Sequence, residues 1–126
     1  MINPIYNLPE INFIGGESQT LIFNLYTKQG TPFDANGCTL GFAIINYVNK
    51  NGVPILVKQT PDIEIQIGES GIPNIAIVNL LPEDTVYFQG RYVYQITVLD
   101  SYGETEIPGQ GIINITRNIH QNFITD

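Results

Sequence analysis

Tyr92 and Tyr94 stand two residues apart, a spacing that places both rings on one face of a strand. Paired aromatic rings on one face can stack against sugar rings. The same spacing also serves a tyrosine corner, in which a buried ring lets its hydroxyl bond a loop carbonyl, and that structural use is the expectation here. Glu83 with Asp84, and Asp100 with Glu104 and Glu106, could supply oxygens to calcium. Calcium takes roughly six to eight oxygen ligands, and these acids lack the spacing of a calcium loop. Helix capping and solvated turn charges account for them instead. His120 is the one histidine and Cys38 the one cysteine, so a usual zinc set cannot be assembled. Neither has a neighbour in sequence that would orient a base or activate a thiolate. Twelve Asp and Glu on a chain of this length make chance carboxylate pairs certain, so they are no argument for glycosidase chemistry. Gly109-Gln110-Gly111 is two glycines and not a phosphate cradle; Asn114-Ile115-Thr116 matches a glycosylation acceptor inside a strand pattern. No catalytic, cofactor-binding or metal-ligating set is expected.

The elements that must position these residues are strands. Period-two alternation recurs through the sequence: Ile11 to Phe13, Thr20 to Thr27 with Leu21, Phe23 and Leu25 on one face, and Thr39 to Ile44 with Leu40, Phe42 and Ile44 inward. Asn51-Gly52 signals a hairpin into Val53 to Gln59, where Pro54 points to an edge position. Asp62 to Ile67 puts Ile63, Ile65 and Ile67 inward. Asn74 to Leu80 has two registers, of which the one burying Ile75 and Ile77 is preferred to the one burying Ala76, Val78 and Leu80. Pro82 to Tyr87 reads as a short helical turn, with proline at its start and Glu83 and Asp84 at its positive end. Arg91 to Leu99 places Tyr92, Tyr94, Ile96 and Val98 on one side, and Gly111 to Arg117 closes the pattern. About eight strands with regular turns are the signature of a sandwich.

Composition narrows the function classes. The chain has 126 residues, 43% of them hydrophobic but only 13% charged, so one domain with a substantial core is expected and much of its surface must be uncharged. A net charge of −7 without a basic cluster argues against nucleic acid and against an anionic membrane surface. A single cysteine excludes an intrachain disulfide framework. Met1-Ile2-Asn3-Pro4 shows no basic and then apolar pattern of a secretory signal, and no apolar run has the length of a membrane span.

Leu81-Pro82-Glu83-Asp84-Thr85, Gly90-Arg91-Tyr92-Val93-Tyr94, Asp100-Ser101-Tyr102-Gly103 and Gly109-Gln110-Gly111-Ile112 together resemble the ending of immunoglobulin-like modules in bacteriophage tail, baseplate and fibre proteins. Gly16 to Leu21 and Gly30-Thr31-Pro32-Phe33-Asp34 look like the opening strand and dipped connection of such modules. The resemblance spans roughly residues 10 to 117, and its motifs are short; Gly-x-Tyr also occurs in fibronectin-like and bacterial surface domains. It implies an all-β, immunoglobulin-like β-sandwich of about seven to eight mostly antiparallel strands. It also implies a non-enzymatic virion structural protein, similar to the N-terminal domain of an upper-baseplate protein, acting through protein–protein docking. On this reading residues 1–8 form an N-terminal arm, 9–117 the sandwich and 118–126 a C-terminal tail. Ile5, Tyr6, Leu8, Phe123 and Ile124 are then the candidate partner contacts. The expected partners are other virion proteins or copies of the chain in a homo-oligomer, assembled in the host cytoplasm, with neither nucleic acid nor membrane and no cofactor. The alternative is a bacterial cell-surface adhesin or carbohydrate-binding module, which requires an exposed aromatic platform.

Overall fold

Isoleucine, valine and phenylalanine alternating with polar residues make strands because a pleated backbone sends successive side chains to opposite faces. The computed structural model describes residues 8–26, 30–48, 52–69 and 71–125. Among them run β1 (Ile11–Ile14), β2 (Gln19–Asn24), β3 (Thr39–Asn46), β4 (Leu56–Gln59), β5 (Ile63–Gln66), β6 (Ile75–Leu80), β7 (Gly90–Leu99) and β8 (Thr105–Thr116), with short helices α1 (Pro82–Thr85) and α2 (Asn122–Thr125). One sheet has the order β1-β8-β7-β3-β4 and the other β2-β6-β5. Every pairing is antiparallel except β1 with β8. Setting β3, β7 and β8 against β2, β6 and β5 gives an immunoglobulin-like β-sandwich with β4 added to the first sheet.

The core lies between the sheets and is built by the alternation itself. Leu21 and Phe23 of β2 meet Leu40, Phe42 and Ile44 of β3 and Tyr92, Tyr94, Ile96 and Val98 of β7. At its centre the Phe23, Phe42 and Tyr94 rings stand 5.6–6.2 Å apart, a spacing that adds aromatic attraction to apolar burial.

Three local outcomes depart from the sequence pattern. In β6 the residues that join the core between the sheets are Ala76, Val78 and Leu80; Ile75 is half-buried and Ile77 is buried, but both face away from that core. The partner strand decides this: Phe23 pairs with Ala76 and Leu21 with Val78, and paired residues share a face. A small alanine opposite Phe23 also leaves room for the ring cluster. Ile67 is exposed because β5 ends at Gln66, although Ile63 and Ile65 face inward as the pattern requires. β8 starts at Thr105, well before Gly111, despite Pro108 and two glycines. A register shift between Ile96 and Val98 opposes Gly109 and Glu106, and such a bulge accommodates a proline that cannot donate to the ladder. Residues 49–51, which include the asparagine of the Asn51-Gly52 signal, lie outside the described residues.

Candidate interaction surfaces

The residues singled out for chemistry are mostly consumed by the fold. Tyr92 and Tyr94 both point inward and are buried. Tyr92 makes the tyrosine corner: its hydroxyl donates to the Gln89 carbonyl (2.8 Å) and accepts from the Gln89 N–H (3.0 Å). The Tyr94 hydroxyl reaches the Pro9 carbonyl and ties the chain entering β1 to the core. Burial pushes its pKa up to about 12, because a phenolate would lose its water there. Asp84 accepts the Leu81 N–H at 2.7 Å and the Lys58 ammonium at 2.9 Å, holding α1 against β4. Asp100 accepts the N–H groups of Tyr102 and Glu104, both at 2.9 Å, and so shapes the β7–β8 turn. Among the described residues no three His, Cys, Asp or Glu side chains gather as a metal site. Cys38 packs half-buried against the core, and His120 lies against the Phe123 ring at 5.2 Å between centroids.

The outer face of the five-stranded sheet has a pattern that alternation alone does not announce. Strand register aligns Ile45, Val93 and Ile112 as an apolar row across β3, β7 and β8. Val93 is only 9% exposed although it faces away from the core, because flanking side chains cover it. With Ala43, Pro54, Gln95 and Gln110, part of this row lines a groove of about 200 Å³. Polar rows flank it on both sides. On one, Gln110 donates to Gln95 (2.7 Å) and Gln95 to Thr97 (3.0 Å). On the other, Asn114 donates to Glu10 (2.7 Å) and Asn12 (2.8 Å) and accepts from Arg91 (3.3 Å), whose guanidinium also lies 5.5 Å from the Tyr47 ring centroid. Side chains already held by one another lose little rotamer freedom on meeting a partner. An apolar strip between ordered amides matches the anatomy of a protein interface better than that of a reaction site. The acceptor motif's Asn114 is thus a half-buried member of this lattice.

A second depression, about 390 Å³, is lined by Asn24, Tyr26, Pro32, Gly68, Glu69, Asn74 and Ile75. Its one buried orphan is the Asn74 Oδ1. That oxygen is turned to the Gly68 backbone, where a Cβ would sit 2.2 Å away, so a weak Cα–H···O contact replaces a ligand. The Asn74 amide nitrogen donates to the Leu25 carbonyl at 3.3 Å, which fixes the side chain as a loop strut.

Of the terminal contacts, Ile5 and Tyr6 lie outside the described residues. Leu8 packs half-buried on the core, and its N–H bonds the Gln110 carbonyl at 3.1 Å. Phe123 is 78% exposed. Ile124 falls in α2. Asn118 anchors the tail by donating to the Gly15 carbonyl at 2.7 Å.

Neither a family model nor a curated protein matches the sequence. Among solved structures the chain is similar to CopC from Methylosinus trichosporium OB3b, with 12% identity, 86% of this chain and 85% of that one covered, and a TM-score of 0.43. It is also similar to AggA, the major subunit of aggregative adherence fimbriae type I from Escherichia coli, with 13% identity, coverage of 86% and 91%, and a TM-score of 0.39. At these scores neither likeness bears on what the chain does.

Proposed function

We propose that this chain is a non-enzymatic structural module of a virion, at a tail, baseplate or fibre position, that works by docking onto other virion proteins or copies of itself. The observation that carries the reading is the Ile45–Val93–Ile112 row bordered by mutually bonded amides on an outer sheet face. The virion setting rests on the sequence resemblance across residues 10 to 117. The adhesin alternative needs an exposed aromatic platform, and Tyr92 and Tyr94 are both buried.

The test is incorporation. Particles purified from the producing cells by density gradient contain the chain in fixed stoichiometry, and Ile45→Lys, which puts a charge in the apolar row, abolishes incorporation while leaving the melting temperature of the isolated protein unchanged. Particles that lack the chain, or that take up Ile45→Lys normally, overturn the proposal. Saturable binding on a glycan array would move the assignment to the adhesin reading.

A further inference from the structure

Sheet edges are where a sandwich meets others of its kind, and the four edges here are unequally protected. β5 carries Glu64 next to Asp62, so self-pairing would bring carboxylates together. β2 is capped at its far end, where Tyr26 bridges Pro32 and the Phe33 N–H bonds the Leu25 carbonyl at 2.9 Å. β1 is bordered by Glu10 and tied into the Asn12–Asn114 lattice. β4 differs from all three.

A charge turned inward from an edge strand discourages pairing when a strand laid alongside would bury it unpaired. The lysine of β4, Lys58, is turned inward, but Asp84 already pairs it at 2.9 Å, so a neighbouring strand would bury no lone charge there. Outside, the edge offers Val57 at 58% exposure, with Ile55 and Val53 leading into it. Backbone groups are available as well. The Thr60 N–H bonds the Leu40 carbonyl, and continuing that register pairs Lys58 with Phe42 and directs the Val57 N–H and carbonyl away from β3. The available edge is short, since the Gln59 carbonyl is already taken by the Asp62 N–H at 2.8 Å.

Charge selects the occupant. The chain has twelve acids and a net charge of −7, which makes copies repel one another over most of their surface. From Ala35 to Pro61 there is no acid at all, and two of the five basic residues fall there. The β3–β4 hairpin lies within the longest acid-free stretch of the chain, where two copies can approach with the least opposition between carboxylates.

We propose that β4 pairs antiparallel with β4 of a second copy about a twofold axis through Val57, joining two five-stranded sheets into one. Val57 exchanges both backbone hydrogen bonds with Val57 of the second copy, and Ile55, set opposite Gln59 of that copy, reaches its Val57 side chain diagonally. The inference rests on the docking reading and names its first partner.

The test is sedimentation analysis of the full chain over a wide concentration range, with amide hydrogen exchange on the same samples. The wild type dimerises as concentration rises, and protection appears at the Val57 amide. Val57→Lys sets two ammonium groups opposite each other. Val57→Pro deletes an N–H that the chain's own sheet does not use. Each weakens the dimer at least tenfold, about 1.4 kcal/mol, with the monomer's melting temperature retained. Ile22→Lys, on the β2 edge, leaves the dimer intact. A wild type that stays monomeric overturns the pairing, as does a dimer that survives both Val57 variants or is dissolved by Ile22→Lys. Should Val57→Lys unfold, Val57→Pro and the exchange pattern decide. A monomeric chain that still enters particles sinks this pairing alone, whereas a dimer absent from particles sinks the virion reading alone.

Discussion

Gly111→Ala gives the sharpest test of how the core is organised. Gly111 lies directly opposite Tyr94 in the β7–β8 register, and an added Cβ would sit 2.6 Å from the ring's Cε1, Cζ and hydroxyl oxygen. Ordinary contact needs about 3.4–4 Å, so the ring must move by roughly an ångström. It has nowhere free to go, being fully buried with Phe23 5.6 Å and Phe42 5.9 Å away and its hydroxyl on the Pro9 carbonyl. Overpacking of this kind costs about 1–3 kcal/mol, and loss of the hydroxyl bond adds about 1 kcal/mol. The expected destabilisation is therefore about 2–4 kcal/mol, read as a lower urea midpoint at unchanged m-value. The cycle with Tyr94→Leu isolates the cause. That change alone costs about 3 kcal/mol for the cavity, but in its background Gly111→Ala becomes nearly neutral, because the clash has gone and a strand glycine is entropically costly. A cost below about 0.5 kcal/mol for Gly111→Ala, or the same cost with and without Tyr94→Leu, would refute the packing argument.

Two further outcomes follow from the buried polar groups. Tyr94 has its pKa raised from 10.0 to about 12, so the unfolded chain releases this proton first; stability from the neutral phenol is complete below pH 10 and is lost as pH rises toward 12. Wild type should lose about 1.4 kcal/mol relative to Tyr94→Phe between pH 8 and pH 11 in denaturant titrations, and a constant difference across that range contradicts the burial. Asp84→Ala removes the acceptor of the Leu81 N–H and strands Lys58, costing about 2–3 kcal/mol, whereas Glu83→Ala on the exposed side of α1 stays within about 0.5 kcal/mol; equal effects would mean that the Lys58 contact contributes nothing.

Much of the sandwich was legible because alternation is a direct image of burial. Leu40, Phe42 and Ile44, or Tyr92, Tyr94 and Ile96, could be assigned inward from spacing alone, and the sheets agree. What spacing cannot report is the neighbour across the ladder. Spacing favours the wrong β6 register because Ile75 and Ile77 are better core residues than Ala76 by composition, yet Phe23 opposite needs the small side chain. The pattern makes β8 too short because Pro108, Gly109 and Gly111 weaken a strand locally; a bulge and the ring of Tyr94 give those positions their reasons only after β7 is alongside. The candidate interface was least legible. Ile45, Val93 and Ile112 are scattered in sequence, and only strand order sets them in a row. The charge-poor surface that such a row requires was visible in the composition, but not its place.

The row also separates function from stability within single strands. In β7 the residues Tyr92, Tyr94, Ile96 and Val98 face the core, while Arg91, Val93, Gln95 and Thr97 face the candidate interface. Substitutions at the first set act through the packing density of the interior, and those at the second act through what the sheet can touch. Val93 is the instructive exception, being nearly as covered as a core residue while lying outside the core cluster. Its cover comes from Ile45 and Ile112 on either side, so truncating it to alanine opens the outer row without touching the Phe23–Phe42–Tyr94 cluster. An outer face built this way is rigid. The rigidity comes from the ladder beneath, which the same strands must complete to bury their other face.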